Sequence, residues 1–345
     1  MNYDISVSER TFHFKQPVRT SRGVYVTRHS WFLEMTSPQL PGVKGIGECA
    51  PLPQLSCDDI PEYERILKDV CEMVCRTGKI DVSMLRPYPS ILFGLETAWQ
   101  NLHAGSVKLF DIPFGRGEEG IPINGLVWMG TYGEMLARIE EKLRIGFRCI
   151  KMKIGAIEFE REIALIRHIR ERYTKEQIEL RVDANGGFDT DEALKKLELL
   201  ARYDIHSIEQ PIRQHQWNDM ARLCRESPVP IALDEELIGV NLPAMKEALL
   251  DTIKPTFIVL KPSLHGGMYG TEEWIRMARE RGIGTWITSA LESNVGLNAV
   301  AHLAAKQYGP AINLPQGLGT GALFTDNIKM PIAMKGDKLW FLASS

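Results

Sequence analysis

At 345 residues the chain can bury a large core and, at roughly 150 residues per domain, holds about two domains. Its net charge of −3 with no long basic run argues against nucleic acid or an anionic membrane surface as partner. No stretch approaches about 18 consecutive apolar residues, so no segment is predicted to span a membrane. The opening MNYDISVSERTFHF lacks an apolar core flanked by basic residues, so no secretory signal is predicted. The six cysteines are scattered without a CxxC pair, which predicts reduced thiols and a cytoplasmic protein.

In chain order, ISVSERTFHF and VYVTRHSWFLEM read as strands separated by a loop, PVRTSRG. GVKGIGECAPLP reads as a strand ending in a Pro-rich loop, and helical stretches follow around 60–76 and 90–104. Strands and then helices in blocks predict an α+β domain over residues 1–120. From 121 the pattern alternates. The expected strands are 121–127, 148–154, 179–184, 206–210, 230–234, 257–261, 285–290 and 311–315, with helices between them. One such helix carries Phe159, Ile163, Ile166, Ile169 and Tyr173 on a single face. Eight strands joined by helices over 121–320 predict an α/β fold, a modified (β/α) TIM-type barrel. The N-terminal domain would cap it, with the tail, 321–345, packing back on that cap. An open doubly wound sheet alternates in the same way, but its ligand would sit at one switch point rather than draw on five successive strands.

Asp183, Glu209 and Asp234 each close an apolar run, in LRVDAN, HSIEQP and PIALDEE, one strand–helix unit apart. On neighbouring parallel strands these carboxylates would converge. Two like charges about 4 Å apart repel by roughly 4 kcal/mol at an effective dielectric near 20. A bound cation is the simple resolution, and all-oxygen ligands favour Mg²⁺ or Mn²⁺ over zinc. The alternative is three separate acids, each capping a helix or pairing with an Arg; three in register make it the weaker reading.

Lys151 and Lys153 lie two apart in IKMKIG, so they share one face of their strand with Met152 opposite. Because the helix layer must be apolar, both lysines should point into the barrel. Lys261, in FIVLKPS, lies across the ring. A lysine acting as a base must shed its proton near neutrality, and a neighbouring ammonium or a divalent cation favours that. The competing reading is a solvated KxK at a strand's end. Glu235 either orients Lys261 or caps the next helix. Asn185, in DANGGF, either holds the acid's loop or belongs to ordinary turn chemistry. Arg181 shares the side of Asp183 and is expected to balance buried charge.

KMKIG, RVDANGGF, IEQP, ALDEEL and VLKPSLHGG resemble the enolase superfamily, in the subgroup that includes muconate-lactonising enzymes. The resemblance spans essentially the whole chain, with five strand ends matching in order. It implies Asp183, Glu209 and Asp234 as Mg²⁺ ligands, Lys153 as the general base, Lys151 as its assistant at a substrate carboxylate, and Lys261 on the opposite face of the substrate. Lysine bases working beside Mg²⁺ are a known property of that superfamily. GECAPLPQLS, KPSLHGG and SALESNVGLNA carry a narrower likeness. It is to the branch whose members dehydrate a succinyl-hydroxycyclohexadiene carboxylate to o-succinylbenzoate in menaquinone biosynthesis. That likeness implies a lyase acting on a small-molecule carboxylate. Substrate contacts are expected from Ser21, Arg22 and Pro51 in the cap's loops, and from Ser289, Leu291 and Gly319 at the last two barrel strands. The rival activities are N-acylamino-acid racemisation and dipeptide epimerisation, the latter disfavoured because QGLGTGALFTDN has no DxD. A ligand-binding barrel without turnover would show no α-proton exchange in D₂O.

Overall fold

The computed structural model describes residues 1–20, 23–155 and 157–343, the side chains of residues 19 and 20 excepted. Strands β1 (Asp4–Thr20), β2 (Gly23–Thr36) and β3 (Gly45–Cys49) form an antiparallel sheet in that order. β1 continues through PVRT, which the sequence reading assigns to a loop. The ladder shifts register between His13 and Val18, so Pro17 lies where no backbone N–H is required of it. Helices α1 (Tyr63–Thr77), α2 (Val82–Leu85) and α3 (Pro89–Ala104) cover the sheet, burying Leu33, Met35, Leu67, Val74, Ile91 and Leu95 together. Strand and helix meet backbone to backbone at Gly47 and Gly94. A Cβ on Gly47 would come 1.9 Å from the Gly94 carbonyl oxygen.

After the short β4 (Ile121–Pro122), seven parallel strands follow in sequence order around one curled sheet. They are β5 (Gly125–Val127), β6 (Cys149–Lys153), β7 (Glu179–Asp183), β8 (Ser207–Glu209), β9 (Ile231–Leu233), β10 (Phe257–Leu260) and β11 (Gly284–Ile287). The intervening helices are α4 (Tyr132–Ile145), α5 (Phe159–Arg170), α6 (Thr190–Leu200), α7 (Trp217–Glu226), α8 (Pro243–Ile253) and α9 (Gly267–Glu280), and α10 (Asn294–Tyr308) follows β11. Local chemistry sets their ends. α4 begins at a Thr131–Glu134 capping box and stops at Gly146 in a left-handed conformation. α5 buries Leu165, Ile166 and Ile169 completely, each worth about 1.5–3 kcal/mol. Of the expected face, Phe159, Ile163 and Tyr173 pack at the edge of the same core.

The eighth strand is not at 311–315. Pro310 and Pro315 bracket that segment and cannot donate to a ladder. Instead Gln316 and Gly317 fill the eighth position through two isolated parallel bridges, Ile123 with Gln316 and Thr288 with Gly317. The expected first strand also divides: Ile121–Pro122 turns outward to pair with β13 (Lys338–Phe341), itself paired with β12 (Ile332–Lys335). The tail therefore touches both parts of the chain, since the Lys15 N–H donates to the Leu323 carbonyl at 2.8 Å. Among the described residues no helix is long and apolar enough to cross a membrane.

Candidate active site

Strand alternation puts Met152 in the core behind β6 and turns its neighbours Lys151 and Lys153 inward. β6, β7 and β8 run in register, with Lys153 opposite Asp183 and Asp183 opposite Glu209. Asp234 follows β9 directly, and Lys261 follows β10, four ring positions from β6 and so across the barrel. Lys151, Lys153, Glu209 and Lys261 line one cavity at this mouth. Asp183 and Asp234 lie fully buried beside them.

The Lys151 ammonium donates to both Glu209 oxygens, at 2.6 and 2.7 Å, and lies 2.9 Å from Asp183 Oδ2. Lys153 donates to the same Asp183 oxygen at 2.9 Å and to Asn185 Oδ1 at 2.8 Å. Lys261 pairs with Asp234 through a very short contact to Oδ2, leaving Asp234 Oδ1 buried without a partner. Burial alone would raise Asp183, but the Lys151 and Lys153 charges outweigh it and hold this carboxyl far below the usual range. Burial and the neighbouring Asp183 charge push Glu209 up, against Lys151. Burial also pushes Asp234 up, against Lys261. For Lys151 and Lys261 burial acts downward, yet the surrounding carboxylates win and both ammoniums are held more tightly than in water.

The donor set suits a hard dication, being all oxygen and drawn from three consecutive strands, with one buried oxygen unsatisfied. As arranged, the Lys151 ammonium bridges Glu209 and Asp183. Among the described residues no group of three or more His, Cys, Asp or Glu side chains is gathered so as to hold a metal ion.

Glu235 makes no direct ion pair with Lys261, but its charge, after that of Asp234, helps hold the Lys261 proton, and it opens only a short turn, 235–237. It accepts from Asn185 Nδ2 at 2.9 Å, and Asn185 in turn holds Lys153. Asn185 is in the left-handed region at φ 45, which its short polar side chain tolerates. Arg181 points into the barrel like Asp183 but balances a different acid. Its Nε donates to Glu179 at 2.7 Å and its Nη1 to the Pro315 carbonyl at 3.0 Å, with the guanidinium over Trp286.

Ser289, Leu291 and Gly319 line the cavity. Pro51 does not; its carbonyl turns to Arg28, while Leu52 and Leu55 of the same loop face inward. Ser21 and Arg22 lie outside the described residues. Spacing along the chain does not single out Tyr25, Asn124, Trp128 or Thr320, which also line the cavity. For Trp128 a signal exists: it directly follows β5, the place where the other strands carry their polar groups, and its ring lies 5.8 Å from the Lys153 ammonium.

Residues 134–314 match the family model described as enolase C-terminal domain-like. Over 97% of this chain and 98% of the relative, the sequence is 42% identical to an o-succinylbenzoate synthase of Desulfotalea psychrophila. This chain belongs to the enolase superfamily. The crystal structure of MenC from Desulfotalea psychrophila superposes with a TM-score of 0.82 at 38% identity, covering 99% of this chain and 100% of that one. A dipeptide epimerase from Enterococcus faecalis, complexed with Mg and L-Leu-L-Tyr, has a TM-score of 0.84 at 19% identity over 100% of this chain and 98% of that one, a likeness of fold alone. The capped barrel predicted from the sequence is thus the fold of the superfamily.

Proposed function

We infer that this chain is a divalent-metal-dependent lyase of the o-succinylbenzoate synthase type, removing the proton beside a substrate carboxylate and eliminating water. The observation that carries the reading is the pair Lys153 and Lys261, facing each other across a cavity with buried carboxylates beneath. Its substrate class comes from the 42% identical relative of that name. Asp183, Glu209 and Asp234 would hold Mg²⁺, with Mn²⁺ as the alternative, once Lys151 turns from Glu209 toward the substrate. A dication held there would add positive charge beside Lys151, Lys153 and Lys261, act as a Lewis acid on the substrate carboxylate and favour loss of a proton from a lysine. The unpaired cysteines suit a reducing, cytoplasmic setting.

The proton beside a carboxylate is weakly acidic because its loss leaves two negative charges on one group. Lys151 and Lys261 supply preorganised positive charge around that group. Asn185, anchored by Glu235, aims the Lys153 amine. Lys153 takes the proton; the C–H electron pair becomes a ring double bond; the bond to the adjacent hydroxyl breaks. The same proton returns to that hydroxyl, which leaves as water. The ring becomes aromatic, and no net oxidation occurs.

An isomerase reading draws on the same opposed lysines, since a second amine can return a proton to the other face. The test is turnover of the succinyl-hydroxycyclohexadiene carboxylate beside a panel of N-succinyl amino acids, with Mg²⁺. Dehydration at enzymatic rates is expected. Fast racemisation with negligible dehydration would overturn the lyase reading.

A further inference from the structure

Besides Leu126 and Trp128 at β5, the cavity's apolar wall draws on two loops from separate parts of the chain. Leu52 and Leu55 belong to the cap's loop after β3, and Leu291 belongs to the barrel loop between β11 and α10. Leu52 and Leu291 share one apolar cluster with Phe12, Phe14 and Phe324. An apolar cluster is non-directional, so it does not by itself fix the gap between two loops.

A fully buried guanidinium does. Arg28, on β2, donates through Nη2 to the Ala50 carbonyl and through Nη1 to the Pro51 carbonyl, both at 2.5 Å. Its Nε donates to the Leu291 carbonyl at 3.2 Å. One planar fork thus gathers carbonyls from both loops, a geometry an ammonium cannot reproduce. Leu291 sits at φ 64, where a branched side chain is strained, and its neighbours are fastened too. Glu292 accepts from the Ala290 N–H at 2.7 Å and from the Ser263 hydroxyl.

A second buried group secures the same joint. Glu48, on β3, accepts from the Ser293 N–H at 2.9 Å and the Gly296 N–H at 2.9 Å, at the start of α10. Ser30 and Ser293 hydroxyls complete its partners at 2.8 and 2.6 Å. Each carboxylate oxygen faces one backbone N–H. A glutamine here would set its own NH₂ against one of them whichever way it turned.

We propose that Arg28 is a specificity-determining positioning residue, with Glu48 as its support, that sets the width of the apolar half of the pocket by tying the cap loop at Ala50–Leu52 to the barrel loop at Leu291. This rests on the lyase reading above, in which the reacting carboxylate lies by the lysines; the rest of the substrate then falls against Leu52 and Leu291, which line the same cavity. Arg28 touches no substrate and acts through those walls. Loosening it weakens binding of the group beyond the ring while leaving the acid–base step in place.

The test compares Arg28→Lys with the unaltered full-length enzyme, Mg²⁺-loaded, on the succinyl-bearing substrate and on the same ring carboxylate without its succinyl tail. Expected is a KM for the full substrate raised about 10-fold, kcat within about 3-fold, and kcat/KM for the truncated substrate changed less than about 3-fold. Arg86→Lys is the control. It weakens another cap–barrel joint, where Arg86 pairs with Glu273 at 3.0 and 3.1 Å outside the pocket, and should lower thermal stability without moving KM. A fall in kcat alone, equal losses on both substrates, or an equal KM rise in Arg86→Lys would overturn the proposal. Should Arg28→Lys not yield folded protein, Glu48→Gln is read by the same split. An unaltered enzyme that dehydrates neither substrate would instead refute the lyase reading itself.

Discussion

Replacing Lys151 by Met should destabilise the metal-free protein and make it more responsive to metal. The Lys151 ammonium lies 2.6–2.9 Å from two carboxylates that are at most 3% exposed. At an effective dielectric near 20, each such contact is worth about 6 kcal/mol of Coulomb energy, before the cost of taking the charges from water. Breaking a buried pair from one side typically costs about 3–5 kcal/mol net, because the other charge stays buried and uncompensated. At roughly 2 °C per kcal/mol for a large chain, Tm in EDTA should fall by about 6–10 °C. Added Mg²⁺ should restore much of that loss. At a hundredfold excess over Kd, binding contributes about 2.7 kcal/mol. In the unaltered protein part of that gain goes into displacing the Lys151 ammonium from Glu209 and Asp183; in the variant that cost is gone, and only Lys153 on Asp183 and Lys261 on Asp234 remain, as in the unaltered protein. Thermal melts with EDTA and with Mg²⁺ measure both increments. If Mg²⁺ raises the two Tm values equally, or raises the unaltered protein more, the idea that ammonium and cation compete for Glu209 and Asp183 is wrong.

Lys153→Ala should cut α-proton exchange in D₂O by about 10²–10⁴-fold with the fold intact, followed by NMR; exchange at an unchanged rate would remove Lys153 as the base. Asp58 offers a pH test away from the pocket. Burial pushes it up to about 6, against its bonds from the Ser90 N–H and hydroxyl, and its Oδ1 has no partner. The native state therefore holds this proton more tightly than the unfolded chain, so stability should fall as pH rises from about 4 to 6. Urea unfolding across that window should show a contribution to this slope that Asp58→Asn removes; an unchanged slope would mean that Asp58 does not titrate there. Gly47→Ala places a methyl 1.9 Å from the Gly94 carbonyl oxygen, so β3 must lift off α3. A loss of about 3 kcal/mol is expected by chemical denaturation, and a loss under about 1 kcal/mol would show that the strand can shift freely.

The convergence of Lys151, Lys153, Asp183, Glu209, Asp234 and Lys261 was legible in the chain because strand periodicity and the strand–helix repeat are local properties. A residue two places from another on one strand faces the same way, and a parallel barrel repeats its geometry at each unit. The extension of β1 past Pro17 was not legible, because a register shift in the partner ladder decides whether that proline is tolerated. Nor was the eighth ring position, where side-chain and backbone bonds to Gln316 and Gly317 replace a regular strand.

Which charge meets which also lay beyond the sequence. Arg181 is two residues from Asp183 and on the same face, yet its partners are Glu179 and the distant Pro315. Arg28 shows no motif at all, and its role exists only where three carbonyls from two loops meet around it. The sequence by itself determined the strand–helix alternation from β6 to β11, the inward face of its polar strand ends and the acids and amines gathered at one mouth, because alternation and repeat depend on neighbours along the chain. The pairing of charges, the closing of the ring and the joint between cap and barrel were decided by the tertiary structure alone. Buried hydrogen bonds are satisfied by whatever group the fold brings within about 3 Å, however far away it lies in the chain.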